Sequence, residues 1–454
     1  MLRTNVGLRT ATLGGALAAM TIAGPAMARQ QDAPAADTRP PATAAAAAGP
    51  QDPPSPAAPD PAPMPPPPPP PWALSDAKAL LATIKGIGTE GLTPKDYDPA
   101  ALTAAIADGE GPALDEIATR LFAWLAEDLR DGRTPMAARV QWFAVDPDQD
   151  INPTAVILAR ALEQHNVAGE LASLNPTHPD YAALKQALAT APAKDAPLIR
   201  ANMDRWRWLA HDLGQQYLIT NVPEYMLRLT VNNKIITSYR TVVGKPGKTA
   251  TPQLAETVEG VIFNPTWTVP QSIVKGEGLG ARLIGNPGAA ARQGYKVTKA
   301  SNGVITVVQQ PGKGNSLGLM KLDMPNPHAI FIHDTPAKAL FNAEGRAFSH
   351  GCIRTDRASE LGMLMAMLGA GLTKEEGVAN TLSGVYTKVP MTKTFPVYIT
   401  YFTYARDVNG ALRKFTDIYG RDAPVVASFA KPRQLHTMQR TSSEPVVEMV
   451  DPLT

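Results

Sequence analysis

Apolar residues recur at helical spacing through the first part of the chain and at alternate positions through the second. Leu74, Leu81 and Ile84 mark one face of a helix that Gly86 and Gly88 end. A longer helix is predicted over 112–130. Leu114, Ile117, Leu121, Leu125 and Leu129 line one side of it, Pro112 suits its first turn and Gly132 follows its last. Further helices are predicted over 154–164, 181–189 and 198–211, so 73–215 reads as an all-α domain. At Gln216 the period changes to two. Segments 217–220, 225–231 and 235–243 alternate apolar with polar residues, and Asn232-Asn233 is a tight-turn pair that joins the last two as a hairpin. More strands are predicted over 258–263, 304–309, 330–333 and 397–403, with a helix over 357–368. The chain is therefore α+β, an all-α domain followed by a mostly β domain over 216–430. Six glycines, Gly276 to Gly294, punctuate the stretch between the strands ending near Val269 and beginning near Val304. That composition predicts either a closing lid over 270–303 or a plain surface loop.

The ends read differently. Arg3 and Arg9 precede an apolar, small-residue stretch from Ala11 to Gly24, and Ala26-Met27-Ala28 fits a small-x-small cleavage site. Residues 1–28 thus read as a secretory signal, too short to span a bilayer well, with an uncleaved anchor as the alternative. This expectation places the mature chain outside the cytoplasm, in a periplasm. Of 44 prolines, 17 fall between Pro34 and Pro71. Such a sequence cannot build a hydrogen-bonded ladder, so 29–72 is expected to be an extended, disordered linker. The polar stretch 431–454 is expected to be a disordered tail. Lys and Arg number 43 against 41 Asp and Glu, with no basic block, which argues against nucleic acid as partner.

Cysteine occurs once, at Cys352, so neither an intramolecular disulfide nor a cysteine-based zinc site can form. His165, His178 and His211 show no ligand spacing and read as surface or core histidines. Cys352 sits in Ser349-His350-Gly351-Cys352-Ile353-Arg354, downstream of Phe331-Ile332-His333-Asp334-Thr335-Pro336. Composition alone favours an inert thiol, but the two histidines within twenty residues reverse that, because an imidazole that accepts the thiol proton makes sulfur a nucleophile. A helix starting just after Cys352 is expected to lower the thiol pKa and aim N–H groups at an oxyanion.

This pattern resembles the L,D-transpeptidases of peptidoglycan, whose YkuD catalytic domain carries a His, about fifteen residues, then Ser/Thr-His-Gly-Cys, an apolar and a polar residue. Here fifteen residues separate His333 from Ser349. The resemblance narrows to the YcbB-like branch through His333-Asp334-Thr335-Pro336, Leu340-Phe341 and Asn264-Pro265-Thr266-Trp267. Arg205-Trp206-Arg207-Trp208 and Ile418-Tyr419-Gly420-Arg421-Asp422 extend it, and Gly91 to Tyr97 resembles that branch's helical scaffold domain. One departure stands out. Pro192-Ala193-Lys194-Asp195 leads straight to the Arg-Trp-Arg-Trp run, leaving no room for the peptidoglycan-binding module that many YcbB-like enzymes carry there.

The resemblance implies roles. Cys352 is the nucleophile and His333 the general base, with His350 as the alternative base. The backbone carbonyl of Asp334 fixes the imidazole tautomer, and the N–H groups of His350, Gly351 and Cys352 face the oxyanion. Ser349 caps the turn. Arg354 binds a substrate carboxylate or holds the loop, and Trp267 and Tyr239 wall the groove or sit in the core. The implied reaction needs no cofactor and no metal. Cys352 attacks a peptidoglycan tetrapeptide stem, expels D-Ala and passes the acyl group to a second stem as a 3→3 cross-link. Water as acceptor gives an L,D-carboxypeptidase, and an outer-membrane protein amine gives an anchoring enzyme. Carbapenems are the implied inhibitors. A papain-type protease, with Cys far ahead of His, fits poorly, and an inactive wall-binding scaffold needs a broken Cys–His pair.

Overall fold

The computed structural model describes residues 68–144, 153–276 and 278–434. The signal expected at 1–28 and the linker up to 67 lie outside them, as do 145–152 and the tail from 435.

Helical periodicity becomes seven helices among the described residues of the first domain. These are α1 (Leu74–Gly86), α2 (Pro99–Asp108), α3 (Pro112–Asp131), α4 (Thr154–Glu163), α5 (Val167–Ala172), α6 (Pro179–Thr190) and α7 (Ala196–Trp206). Proline stands in the first turn of α2, α3, α6 and α7, where its missing N–H costs nothing. The short α2 and α5 start on side-chain caps, Asp98 accepting from the Ala101 N–H and Asn166 from the Gly169 N–H. On α3, Leu114, Ala118, Leu121, Phe122, Leu125 and Leu129 point into a core shared with Trp72, Leu80, Ile84 and Ile157.

Two expected boundaries shift. Trp72 is 2% exposed and donates its backbone N–H to Asp115 and its indole N–H to Thr119, so it belongs to the helical domain rather than the linker. Arg433, assigned to a disordered tail, forms ion pairs with Glu127 and Asp128 on α3, so the chain is anchored at least to there.

The second domain is built on β1 (Gln216–Asn221), β2 (Met226–Val231), β3 (Lys234–Gly244), β4 (Leu254–Phe263), β8 (Met320–Asp323), β9 (Ile332–His333), β10 (Ala347–Ser349), β11 (Ile353–Thr355) and β12 (Thr387–Thr400). Their order is β10-β3-β11-β9-β8-β4-β12-β1-β2, and β2 also pairs with β3, so the sheet closes on itself. The hairpin turn forms at Asn232-Asn233, both with positive φ, as the twist of a tight β-hairpin requires. Helix α11 (Ala358–Ala370) lays Ala358, Leu361, Met365 and Ala366 on a core with Val261, Met320, Leu322, Ile332 and Ile353. Helix α12 (Lys374–Leu382) follows it.

Residues 265–319 depart from the expectation of a plain surface loop. They hold a folded unit of β5 (Trp267–Thr268), α8 (Gln271–Gly276), α9 (Leu279–Ile284), α10 (Pro287–Arg292), β6 (Tyr295–Lys299) and β7 (Ile305–Gln309). The strands form a separate sheet, β5-β7-β6, over a small core of Val269, Val274, Leu279, Leu283, Ala290 and Val307. The apolar residues among the glycines are what make this possible. The two stems of the unit are tied together: Asn315 donates to the Pro265 carbonyl at 2.9 Å, and the Asn264 N–H to the Leu319 carbonyl at 2.9 Å.

The Arg-Trp-Arg-Trp run joins the two domains. Trp206 and Trp208 pack with Tyr217 and Ile219 of β1 and with Tyr398 and Phe402. Arg205 pairs with Asp422, which opens α13 (Asp422–Ser428). Arg207 donates to the Glu90 carbonyl and to the Tyr181 hydroxyl. Before them, buried Asp204 accepts the N–H groups of Arg133 and Thr134 and the Trp208 indole, which satisfies a charge that would otherwise be costly.

Candidate active site

Alternation decides which side chains meet. On β8, β9 and β11, the residues Met320, Leu322, Ile332 and Ile353 fill the core. Their neighbours must point to the other face. Register pairs Arg354 with His333 in parallel and Lys321 with His333 in antiparallel. Continued by one step, the same alternation puts Phe331 and Cys352 on that face too, with the Ile353 N–H bonded to the Phe331 carbonyl at 2.9 Å. Cys352, the residue before β11, is thus on the same face as His333, two positions before the Arg354 that pairs with it.

His333 is 4% exposed. Its Nδ1 lies 2.5 Å from the Asp334 carbonyl oxygen. A carbonyl only accepts, so Nδ1 carries the hydrogen and Nε2 keeps its lone pair. The Asp334 carboxylate does not point at the imidazole. It accepts the Leu319 N–H at 2.9 Å and pairs with Lys338. Burial, then the neighbouring Arg354 guanidinium, lower the His333 pKa to about 4, so the imidazole rests neutral.

Cys352 is half-buried, and its thiol lies 3.6 Å from the Ala329 carbonyl. Ala329 has φ of 51°, a conformation that costs a non-glycine residue about 1 kcal/mol. Asn326 holds it there, accepting from the Ile330 N–H and donating to the Met324 and Ile330 carbonyls. Burial pushes the thiol pKa up; backbone hydrogen bonding from Phe331 and the charges of Lys321 and Arg354 only partly offset this. The expectation of a lowered pKa is therefore corrected. The chain after Cys352 enters β11, and α11 begins only at Ala358, too late to stabilise a thiolate.

The turn before Cys352 is built from inside. Ser349, 1% exposed, accepts the Gly351 N–H at 3.1 Å and donates to the Cys352 carbonyl at 2.5 Å. The Gly351 N–H is thereby occupied, which removes it from the expected oxyanion donors. Gly351 has φ of 121°, and a Cβ there would lie 3.1 Å from the Ile330 side chain, so glycine is required. Its carbonyl accepts from Thr251 at 2.7 Å; Thr251 in turn accepts the Gly244 N–H. Tyr419 donates to the Gly244 carbonyl, and Arg421 to that of Thr251. The Ile-Tyr-Gly-Arg-Asp stretch thus buttresses the Cys352 turn, a role that no spacing rule reveals. His350 is exposed on this turn, whereas His333 is buried on the sheet face beside Cys352.

Two further expectations fare differently. Tyr239 is fully buried in the core, with its hydroxyl 3.3 Å from Glu360, so it lines no groove. Trp267 is half-buried against the core of the inserted unit, in a different sheet from His333. Lys321 was missed. Nothing in its sequence context marks it, and only the β8–β9 register sets it beside His333.

Comparison with known proteins gives the following. Residues 215–374 match the L,D-transpeptidase catalytic domain, and residues 70–188 match the Scaffold domain. A Haemophilus influenzae protein named "Putative L,D-transpeptidase" is 27% identical over 223 residues, covering 46% of this chain and 45% of that protein. The match therefore spans less than half of the relative's length. Among solved structures, an L,D-transpeptidase from Mycobacterium smegmatis aligns at 14% identity and a TM-score of 0.20, over 41% of this chain and 58% of that one. L,D-transpeptidase 3 from Mycobacterium tuberculosis, in complex with a faropenem-derived adduct, aligns at 10% identity and a TM-score of 0.22, over 41% and 60%. The chain is thus similar to the YkuD-type L,D-transpeptidase catalytic domain over 215–374 and to a scaffold domain over 70–188.

Proposed function

We propose that this protein forms 3→3 cross-links in peptidoglycan through a thioester on Cys352. The observation that carries the reading is that the chain's sole cysteine follows the alternation onto the sheet face that holds His333, the imidazole held with Nε2 unprotonated by the Asp334 carbonyl. Both groups rest neutral, so the proton moves as sulfur attacks. Sulfur bonds to the carbonyl carbon at the L-centre of diaminopimelate, and the thiol proton passes to His333 Nε2. Collapse of the tetrahedral intermediate breaks the C–N bond, and the departing D-Ala amine takes the proton back. The side-chain amine of a second stem then attacks the thioester, gives its proton to Nε2, and the released sulfur recovers it. A thioester keeps the acyl group activated, so the transfer needs no nucleotide. The same chemistry makes Cys352 the target of ring-opening acylation by carbapenems.

The scaffold domain supports a YcbB-like assignment. The apolar run behind Arg3 and Arg9 supports export to the periplasm. The test is muropeptide analysis after incubation with tetrapeptide stems. Diaminopimelate–diaminopimelate dimers are expected with the wild-type chain and none with Cys352→Ala. Tripeptides without dimers would replace the cross-linking reading with the carboxypeptidase one. No product and no carbapenem adduct would leave the inactive scaffold.

A further inference from the structure

One segment of an otherwise balanced chain is strongly basic. Between Pro265 and Leu319 stand Lys275, Arg282, Arg292, Lys296, Lys299 and Lys313 against a single acid, Glu277. The helical domain over 73–215 is biased the other way, with 20 Asp and Glu against 13 Lys and Arg. Folding turns the six cations outward. Leu279 and Leu283 of α9, Ala290 of α10 and Val307 of β7 fill the small core of the inserted unit, and Tyr295 and Val297 of β6 pack against it. Alternation then sends Lys296 to the opposite side of that sheet. All six side chains are exposed. Elsewhere on the chain cations are matched, Arg228 by Glu224, Arg240 by Asp356 and Lys388 by Asp323. Among the described residues, none of the six has an acid within ion-pair distance. The unit is also rooted beside the site. Its second stem ends at Leu319, whose N–H donates to the carboxylate of Asp334, the residue after His333, and the Asp334 N–H donates to the Met320 carbonyl.

We propose that the inserted unit is a docking surface for the polyanionic wall polymer, and that its cations hold the carboxylates of stems around the one being processed. The inference rests on the peptidoglycan reading given under the proposed function. Each donor stem carries a carboxylate on its terminal D-Ala and another at the diaminopimelate D-centre. A stretch of wall is therefore a repeating array of negative charge, which a spread of exposed cations meets without a shaped pocket. Like charges left unpaired on one small unit repel one another, and a polyanion relieves that repulsion. Exposed charges act over about 8 Å at physiological salt, so each contact is weak and the sum over many decides the binding. The acidic helical domain repels the same polymer. The two fields together draw it to the unit rooted beside His333.

The test sediments the full chain with purified insoluble peptidoglycan, in a Cys352→Ala background so that bound wall is not turned over. Binding should weaken steeply as salt rises from about 50 mM to about 300 mM. The joint set Arg282→Gln, Arg292→Gln, Lys296→Gln and Lys299→Gln should weaken it about 10-fold or more at the lower salt. The charge-keeping set Arg282→Lys, Arg292→Lys, Lys296→Arg and Lys299→Arg should bind as the parent does, which separates charge from fold. Wall with amidated carboxylates should bind the parent as weakly as untreated wall binds the Gln set. Equal binding of parent and Gln set to untreated wall, or no effect of amidation, overturns the docking surface. Anionic phospholipid vesicles that bind the parent more tightly than wall does, and lose it with the Gln set, overturn the assignment to the wall in favour of a membrane. The enzyme reading is followed separately, as thioester formation from a saturating soluble donor stem on chains that keep Cys352. The Gln set should form it at the parental rate. Charge-dependent wall binding with no thioester in either chain keeps the surface and loses the enzyme reading. Thioester in both, with wall binding unchanged by the Gln set, keeps the enzyme and loses the surface.

Discussion

The resting protonation of the Cys352–His333 pair gives a sharp prediction. An ordinary imidazole titrates near 6.5, and His333 is lowered to about 4 by burial and by Arg354. At about 1.4 kcal/mol for each tenfold change, protonating this imidazole costs about 3 kcal/mol more than in water, so roughly one molecule in a thousand carries the charge at pH 7. The thiol is shifted the other way, above its usual range. A preformed thiolate–imidazolium pair is thus disfavoured from both sides. Iodoacetamide alkylation reads this cleanly, because the chain has one cysteine and all adduct sits on Cys352. Alkylation should be slow at neutral pH and still climbing through pH 9, and His333→Gln should leave that profile in place. Acylation by the donor stem should behave otherwise. It needs neutral His333, so its rate falls as pH drops through about 4, and His333→Gln should slow it about 10²- to 10⁴-fold. An alkylation plateau below pH 7 that disappears in His333→Gln would refute the neutral-pair reasoning and establish the ion pair.

Two further outcomes follow from the corrected positions. Tyr239→Phe removes only a hydroxyl bonded to Glu360 from a core residue, so stability should fall by about 1 kcal/mol in urea denaturation while KM for the stem stays unchanged; a raised KM would return Tyr239 to the groove. Arg433→Ala leaves Asp128 buried without its cation and should cost about 3 kcal/mol at pH 7. Asp128 has a folded pKa raised to about 6, chiefly by burial, so it takes up a proton as pH falls from 7 to 5; the deficit of the variant should narrow over that window.

The legible parts of this protein are those that one segment fixes locally. The leucine face of α3 and the alternation in β2 and β3 are periodic, so period alone finds them. Short elements escape this reading. β8, β10 and β11 are three or four residues long and the helices of the inserted unit six, below the length at which a period shows. Glycines misled in that unit, because the few apolar residues between them suffice for a core of its own. The fate of Tyr239 was equally hidden: an aromatic at a strand position faces either core or groove, and only sheet closure decides which.

The sequence by itself determined which residues are the candidates for the site's chemistry. A sole cysteine in Ser-His-Gly-Cys, with a histidine sixteen residues before the serine, singles out the candidate nucleophile and base because their reactivity resides in residue type. Tertiary structure decided the electrostatics and the neighbours. Whether the thiol rests charged depends on what buries it, and here a strand rather than a helix follows Cys352. Lys321, His333 and Arg354 belong to separate strands, and no rule of spacing places them in one row. Register does so, since hydrogen bonding between strands, and the burial of Met320, Ile332 and Ile353 on the opposite face, leave these side chains one side on which to meet.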